Sequence, residues 1–152
     1  MGSKRARVYI DADTLMAAAG GDPLGAPRAL LVSGNVTPLE LICAETVVLE
    51  SRRNVDEMLH EALPALDDLI EYGLRRVDDP PPSVEDRFCS LADDKDAIHL
   101  AAAVIYDCRY LVTYNVDDYE PGHPEVEVAK PGEVVRKLRS LIEPSLFEAE
   151  EW

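Results

Sequence analysis

The chain has 152 residues, room for one domain with a real core, and 47% of them are hydrophobic, which excludes a disordered chain. Its 30 acidic and 15 basic side chains give a formal charge of −15, which argues against general electrostatic attraction to nucleic acid or an anionic membrane. No apolar run approaches the roughly 18 residues of a membrane span, and the basic start MGSKRARVYI has too short an apolar part for a secretory signal.

In chain order, RVYID (Arg7 to Asp11) reads as an apolar strand ending in a carboxylate, followed by a helix from about Asp13 to Ala19 that Gly20-Gly21 stops. Asp22-Pro23 has the form of an N-cap and first helical residue, with Pro27 to Leu31 continuing that helix. Leu39 to Cys43 reads as a buried strand running into a helix that carries Glu50. The stretch VDEMLHEALPALDDLIEYG is helical in period, with Pro64 as its break and Gly73 at its end. Leu74 to Val77 is a third short strand, DDPPPS a rigid loop, and Ser83 or Asp86 opens another short helix. A helix from Asp96 to about Tyr106 leads into a strand at Tyr110 to Thr113. A last strand and a helix beginning near Pro131 close the core, and an acidic tail, expected to be mobile, covers 142–152. Strands alternating with helices predict a single α/β domain, core about 7–141, with a mostly parallel sheet in a three-layer α/β/α sandwich. Cys43, Cys89 and Cys108 are odd in number and widely spaced, which predicts reduced core thiols in a cytoplasmic protein.

The acids fall at informative places. Ligands bind beyond the carboxyl ends of parallel strands. Asp11 ends the first strand, Glu50 follows the second, Asp96 opens the helix before the fourth, and Asn115, Asp117 and Asp118 follow the fourth. Carboxylates crowded together repel and raise one another's pKa, and a hard divalent cation removes that problem. Mg²⁺ and Mn²⁺ take oxygen ligands, acidify a coordinated water and stabilise a leaving oxygen. Acids without His or Cys therefore point to phosphodiester hydrolysis rather than zinc chemistry. Singly, each has a plainer reading: Asp11 and Asp96 as helix caps, Glu50 as a solvated helix residue, Asp118 as a turn acid. It is their joint order that favours a metal site.

That order resembles the PIN-domain ribonucleases, and among them the VapC-type toxins of bacterial toxin–antitoxin pairs. VYIDADTL resembles the family's first-acid motif, with Asp11 as metal ligand, and ETVVLESRRN the second, with Glu50. DDKDAIHLAAA resembles the third, with Asp96 as ligand and Asp93 as companion; LVTYNVDDY resembles the fourth. In the fourth motif either Asp117 or Asp118 is the acid, and Asp118 is favoured because it precedes Tyr119, with Thr113 and Asn115 as polar support. The resemblance runs from about Arg7 to Leu141, and one position departs from it: Asp13 stands where the family usually has Asn. It implies an Mg²⁺- or Mn²⁺-dependent endoribonuclease in which Asp11, Asp96 and Asp118 ligate the metal and Glu50 completes the acid quartet. It also implies homodimers and a cognate antitoxin. Arg52, Arg53 and Lys95 flank the acids and are candidate RNA contacts, while His99, one turn beyond Asp96, reads as a packing or surface residue.

Two other enzyme or module classes compete. YIDADTL nearly matches the D-x-D opening of haloacid-dehalogenase-like phosphatases, with Asp11 as nucleophile, but the Lys and paired Asp that should follow are missing in the required order. A phosphoacceptor receiver module would use Thr113 and Lys130-Pro131 but lacks an acceptor Asp at the end of strand three. The intact acid set disfavours a non-catalytic interaction domain.

Overall fold

The computed structural model describes residues 6–34 and 39–150. Five strands, β1 (Ala6–Ile10), β2 (Leu39–Ala44), β3 (Arg75–Val77), β4 (Tyr110–Val112) and β5 (Glu127–Ala129), form one sheet in the order β3-β2-β1-β4-β5. Every pairing is parallel; Val8 sits opposite Leu41 on one side and Tyr110 on the other. Val8, Tyr9 and Ile10 are all fully buried, so the central strand is covered on both faces, and its unbroken apolar run has that cause. The three-layer α/β/α domain is thus the observed architecture.

The helices are α1 (Ala12–Gly20), α2 (Ala26–Ser33), α3 (Glu45–Met58), α4 (Leu63–Gly73), α5 (Pro82–Glu85), α6 (Ala97–Ile105) and α7 (Pro131–Glu150). Helices α1 to α4 pack on one another, with α7 against α2, while α6 packs on β1, β2 and β4 with α5 beside it. Helix α6 is short, alanine-rich and almost wholly buried, because alanine lets it lie close to the sheet. Chain direction reverses its lateral order between β1 and β4, which is where parallel sheets open a crevice at their carboxyl edge. Beyond those strand ends the ladder continues for one residue each: the Asp11 amide bonds to the Val112 carbonyl and the Thr113 amide to the Ala129 carbonyl.

Several details differ from expectation. Asp22 does not start a helix; its Oδ1 accepts the Leu24 amide in a turn, and α2 begins after Gly25 with Pro27 in its first turn. The long helical stretch breaks at Leu59 rather than Pro64, which stands in the first turn of α4, where its missing N–H costs nothing. Helix α7 runs into the acidic tail as far as Glu150. The basic residues 1–5 lie outside the described residues. Cys43 and Cys108 are buried free thiols that burial pushes up to about 12, but Cys89 is exposed and not a core thiol. Among the described residues no helix is long and apolar enough to cross a membrane.

Candidate active site

Three carboxylates converge at the carboxyl edge. One oxygen each from Asp93, Asp96 and Asp118 lies within 4.8 Å of the others, the spacing a shared cation needs. Backbone bonds between two loops produce this. The Asp93 amide donates to the Asp118 carbonyl at 2.8 Å, and the Gly122 amide to the Leu91 carbonyl at 2.8 Å. The Asp93 carbonyl in turn accepts the amides of Asp96 and Ala97, which folds the turn that opens α6. Asp96 occupies the N-cap position of α6, yet its side chain makes no capping hydrogen bond. The residue is 8% exposed and Oδ2 is buried without a hydrogen-bond partner. Burial raises its pKa, and the neighbouring Asp11 adds to the rise, while Lys95 opposes it. Lys95 Nζ forms an ion pair with Asp96 Oδ2 at 3.2 Å and donates to Asp118 Oδ2 at 3.1 Å. A protein cation thus already answers the excess charge.

Asp11 sits beside this trio rather than in it. Its Oδ1 caps α1 by accepting the Ala12 amide at 2.7 Å, and its Oδ2 accepts the Tyr119 hydroxyl at 3.0 Å. Tyr119 is 2% exposed, and burial followed by the Asp11 charge drives its pKa far up, so it stays a donor. Behind Asp11 lies buried His99, with Nε2 3.8 Å from Asp11 Oδ1 and Nδ1 2.9 Å from the Tyr9 hydroxyl. Tyr9 also accepts the Ala44 amide at 3.4 Å, which links β1, β2 and α6 beneath the site.

Asp13 has a positioning role that its charge alone did not reveal. Its Oδ2 accepts from the Thr113 hydroxyl (3.0 Å), the Tyr114 amide (2.9 Å) and the Asn115 side-chain amide (3.1 Å), and its Oδ1 from the Thr14 hydroxyl (3.1 Å). Thr113 also accepts the Asn115 amide, so α1 holds the loop that carries Asp117 and Asp118. Burial, then the charge of Asp11, raises the pKa of Asp13. With both oxygens engaged, Asp13 is badly placed for the acid role that a D-x-D phosphatase requires. The receiver reading fares no better, since β3 is an edge strand and the loop after it lies two strands from β1.

The remaining sequence candidates divide. Glu50 is half-buried on α3 and lines a cavity of about 500 Å³ with Ala12, Asp13, Met16 and Met58, beside Asp13 rather than among the trio. Asp117 is exposed and lines a small cavity with Asn115 and Asp118, and it is Asp118 that joins the trio. Arg52 is two positions from Glu50, hence on another face of α3, and pairs with Asp67 of α4 instead of facing the acids. Arg53 is exposed on the same helix. Tyr9 and Tyr119 are the buried hydroxyls beside the acids that sequence spacing did not single out, and His99 packs beneath them, as its sequence reading expected. A tyrosine in a fully buried strand needs a partner for its hydroxyl, which was the available signal.

The donor set tests what such a site can hold. Three carboxylates with no Cys or His in the group suit a hard divalent ion such as Mg²⁺ or Mn²⁺ rather than a softer metal.

The sequence matches the PIN domain family model over residues 7–117. Among solved structures, VapBC2 from Rickettsia felis, solved bound to a DNA fragment from its promoter, superposes with a TM-score of 0.62 at 12% identity, covering 82% of this chain and 98% of that one. VapC20 of Mycobacterium tuberculosis, a sarcin–ricin loop cleaving toxin, gives 0.57 at 16% identity over 78% and 98%. FitAcB from Neisseria gonorrhoeae gives 0.59 at 16% identity over 82% and 97%. At these identities the likeness shows the fold. No curated protein matches the sequence.

Proposed function

The chain belongs to the PIN domain family, and from that premise we propose that it is a metal-dependent endoribonuclease and the toxin of a toxin–antitoxin pair. The observation that carries the reading is the convergence of one oxygen each from Asp93, Asp96 and Asp118 within 4.8 Å, with the buried Asp96 Oδ2 met only by Lys95. Asp96 and Asp118 would hold Mg²⁺ or Mn²⁺, with Asp93 on the same side and Asp11 adjoining. When bound, the ion would supply an acidified water and charge stabilisation at phosphorus. This chain's own residues do the rest. Tyr119 and the Ala12 amide fix the Asp11 carboxylate, and Asp13 holds the loop that aims Asp118. Lys95 offsets part of the charge of Asp96 and Asp118, and with a divalent ion held there it would be available to a phosphate. Glu50, facing the neighbouring cavity, completes the acid set from α3. Hydrolysis at phosphorus would leave a 5′-phosphate and a 3′-hydroxyl.

The solved relatives VapBC2 and FitAcB support a cognate antitoxin as partner, and homodimers form part of the same proposal. The test is cleavage of RNA with Mg²⁺, with Mn²⁺ and with EDTA, beside Asp96→Asn. Cleavage in both metals, lost in EDTA and in the variant, is the expected result. Cleavage that survives EDTA, or a fully active variant, would sink the mechanism.

A further inference from the structure

Two cavities meet at Tyr114 and Lys130. The smaller, about 240 Å³, holds Asp117 and Asp118 at the edge of the acid trio. The larger, about 540 Å³, runs from the same two residues between the end of α1 and the starts of α2 and α7, and ends at Arg136. We propose that the larger cavity is the track for the RNA strand on one side of the cleaved bond, with Tyr114 stacking a base and Lys130 and Arg136 holding its phosphates. The inference rests on the ribonuclease reading above.

Four observations support it. The track adjoins the acid-edge cavity, with which it shares Tyr114 and Lys130 as lining residues. Tyr114 is 44% exposed, an aromatic face left open, while its amide is fixed by Asp13, so the ring is carried on a held backbone. Lys130 and Arg136 are exposed and, like Arg53, Arg87, Arg109 and Arg139 among the described residues, form no ion pair with a carboxylate; Arg136 Nε donates to the Gly132 carbonyl at 3.3 Å, which holds its guanidinium at the cavity wall. Helices α2 and α7 both begin at this cavity, and a Cβ added at Gly132 would meet nothing within 4 Å, so a phosphate can approach the backbone there. Asp22 and Glu133 also line the cavity, which makes it neutral in sum. On a chain of charge −15, a cleft that is neutral in sum and carries two exposed cations is a place of low repulsion for a polyanion. An aromatic platform beside exposed cations is the arrangement that binds single strands without reading sequence.

The test is fluorescence anisotropy with a labelled single-stranded RNA of about 12 nucleotides and mixed sequence, in Ca²⁺, over a range of salt. Tyr114→Ala is expected to weaken binding about tenfold, the low-to-middle range for loss of one stacked base. Lys130→Ala and Arg136→Ala should each reduce the slope of log affinity against log salt by about 0.7. Arg75→Ala, which removes the same charge at the opposite edge of the sheet, is the control and should leave affinity and slope as in the wild type. Equal losses in the control and the track variants, unchanged binding in the track variants, or no binding by the wild type would each overturn the track. The ribonuclease reading is judged separately, by metal-dependent cleavage in the wild type; intact cleavage with unaltered variant affinities would remove the track alone.

Discussion

Two aspartates stand at helix N-cap positions on this sheet edge, and they do opposite things. Asp11 and Asp96 are each 8% exposed. Asp11 behaves as a cap should, with one oxygen on the Ala12 amide and the other on the Tyr119 hydroxyl. Asp96 caps nothing, and its buried Oδ2 is met only by the Lys95 ammonium, 3.2 Å away. Position on a helix therefore does not by itself say what an acid does; the partners of its two oxygens separate Asp11 from Asp96.

The contrast breaks most visibly under substitution. Asp96→Asn should lower metal-dependent cleavage by about a thousandfold, the loss of roughly 4 kcal/mol of charge stabilisation. Its melting temperature should hold or rise, because the variant removes a desolvated charge whose pKa burial has raised. Asp11→Ala should instead lose about 2–4 kcal/mol of stability, combining a lost cap with an orphaned Tyr119 hydroxyl. For a chain of this size that is a fall of about 4–16 °C. Calorimetry of the two variants decides the matter: equal melting losses would mean Asp96 is as structural as Asp11.

Divalent ions sharpen the same contrast. At a hundred times its dissociation constant, Mg²⁺ or Mn²⁺ should stabilise the wild type by about 2.7 kcal/mol. EDTA should reverse the shift, and Asp96→Asn and Asp118→Asn should abolish it. A shift of full size in Asp96→Asn would place the ion elsewhere.

The sequence made the strands and the acids at their ends legible, because an unbroken apolar run such as VYI has few other meanings. It could not tell which acids would meet. Asp93 and Asp118 are neighbours because one backbone amide bonds one carbonyl between loops far apart in sequence, and no residue pattern encodes that bond. The fate of Asp13 was hidden for the same reason: its four donors come from Thr14 and from a loop about a hundred residues away. His99 read as a packing or surface residue because nothing near it in sequence signals Tyr9. Asp22-Pro23 misled in the other direction. Its local chemistry suits a helix start, but the chain made a turn first and left that role to Gly25.

Tyr119→Phe isolates one half of the Asp11 side of the comparison. It keeps the ring in the core and removes only the hydroxyl on Asp11 Oδ2. A loss of about 1 kcal/mol is expected, the usual net worth of one hydrogen bond, with a smaller fall in cleavage than Asp96→Asn. Measured in an Asp11→Ala background, the change should shrink, because the partner is already gone. Full additivity in that double-mutant cycle would show that the hydroxyl does not act through Asp11.

Glu40 gives the comparison its outside reference, a carboxylate satisfied wholly by cations far from the acid trio. It accepts from Arg75 and Arg7 on neighbouring strands, and the Arg75 bond first of all lowers its pKa below 4.5. The sign follows from that direction. A carboxylate whose folded pKa is depressed stabilises the fold above its unfolded pKa, and the gain drains away as pH falls from about 4.5 through the lower folded value. Both arginines are partly exposed, so the effect is small, about 0.5–1 kcal/mol at neutral pH. Glu40→Gln should therefore melt slightly below the wild type at pH 7 and level with it in acid. Asp96→Asn should show the reverse order, level or above at pH 7, since the Asp96 pKa is raised rather than lowered. Parallel pH–stability curves for the two variants would erase the distinction between a carboxylate lowered by its arginines and one raised by burial.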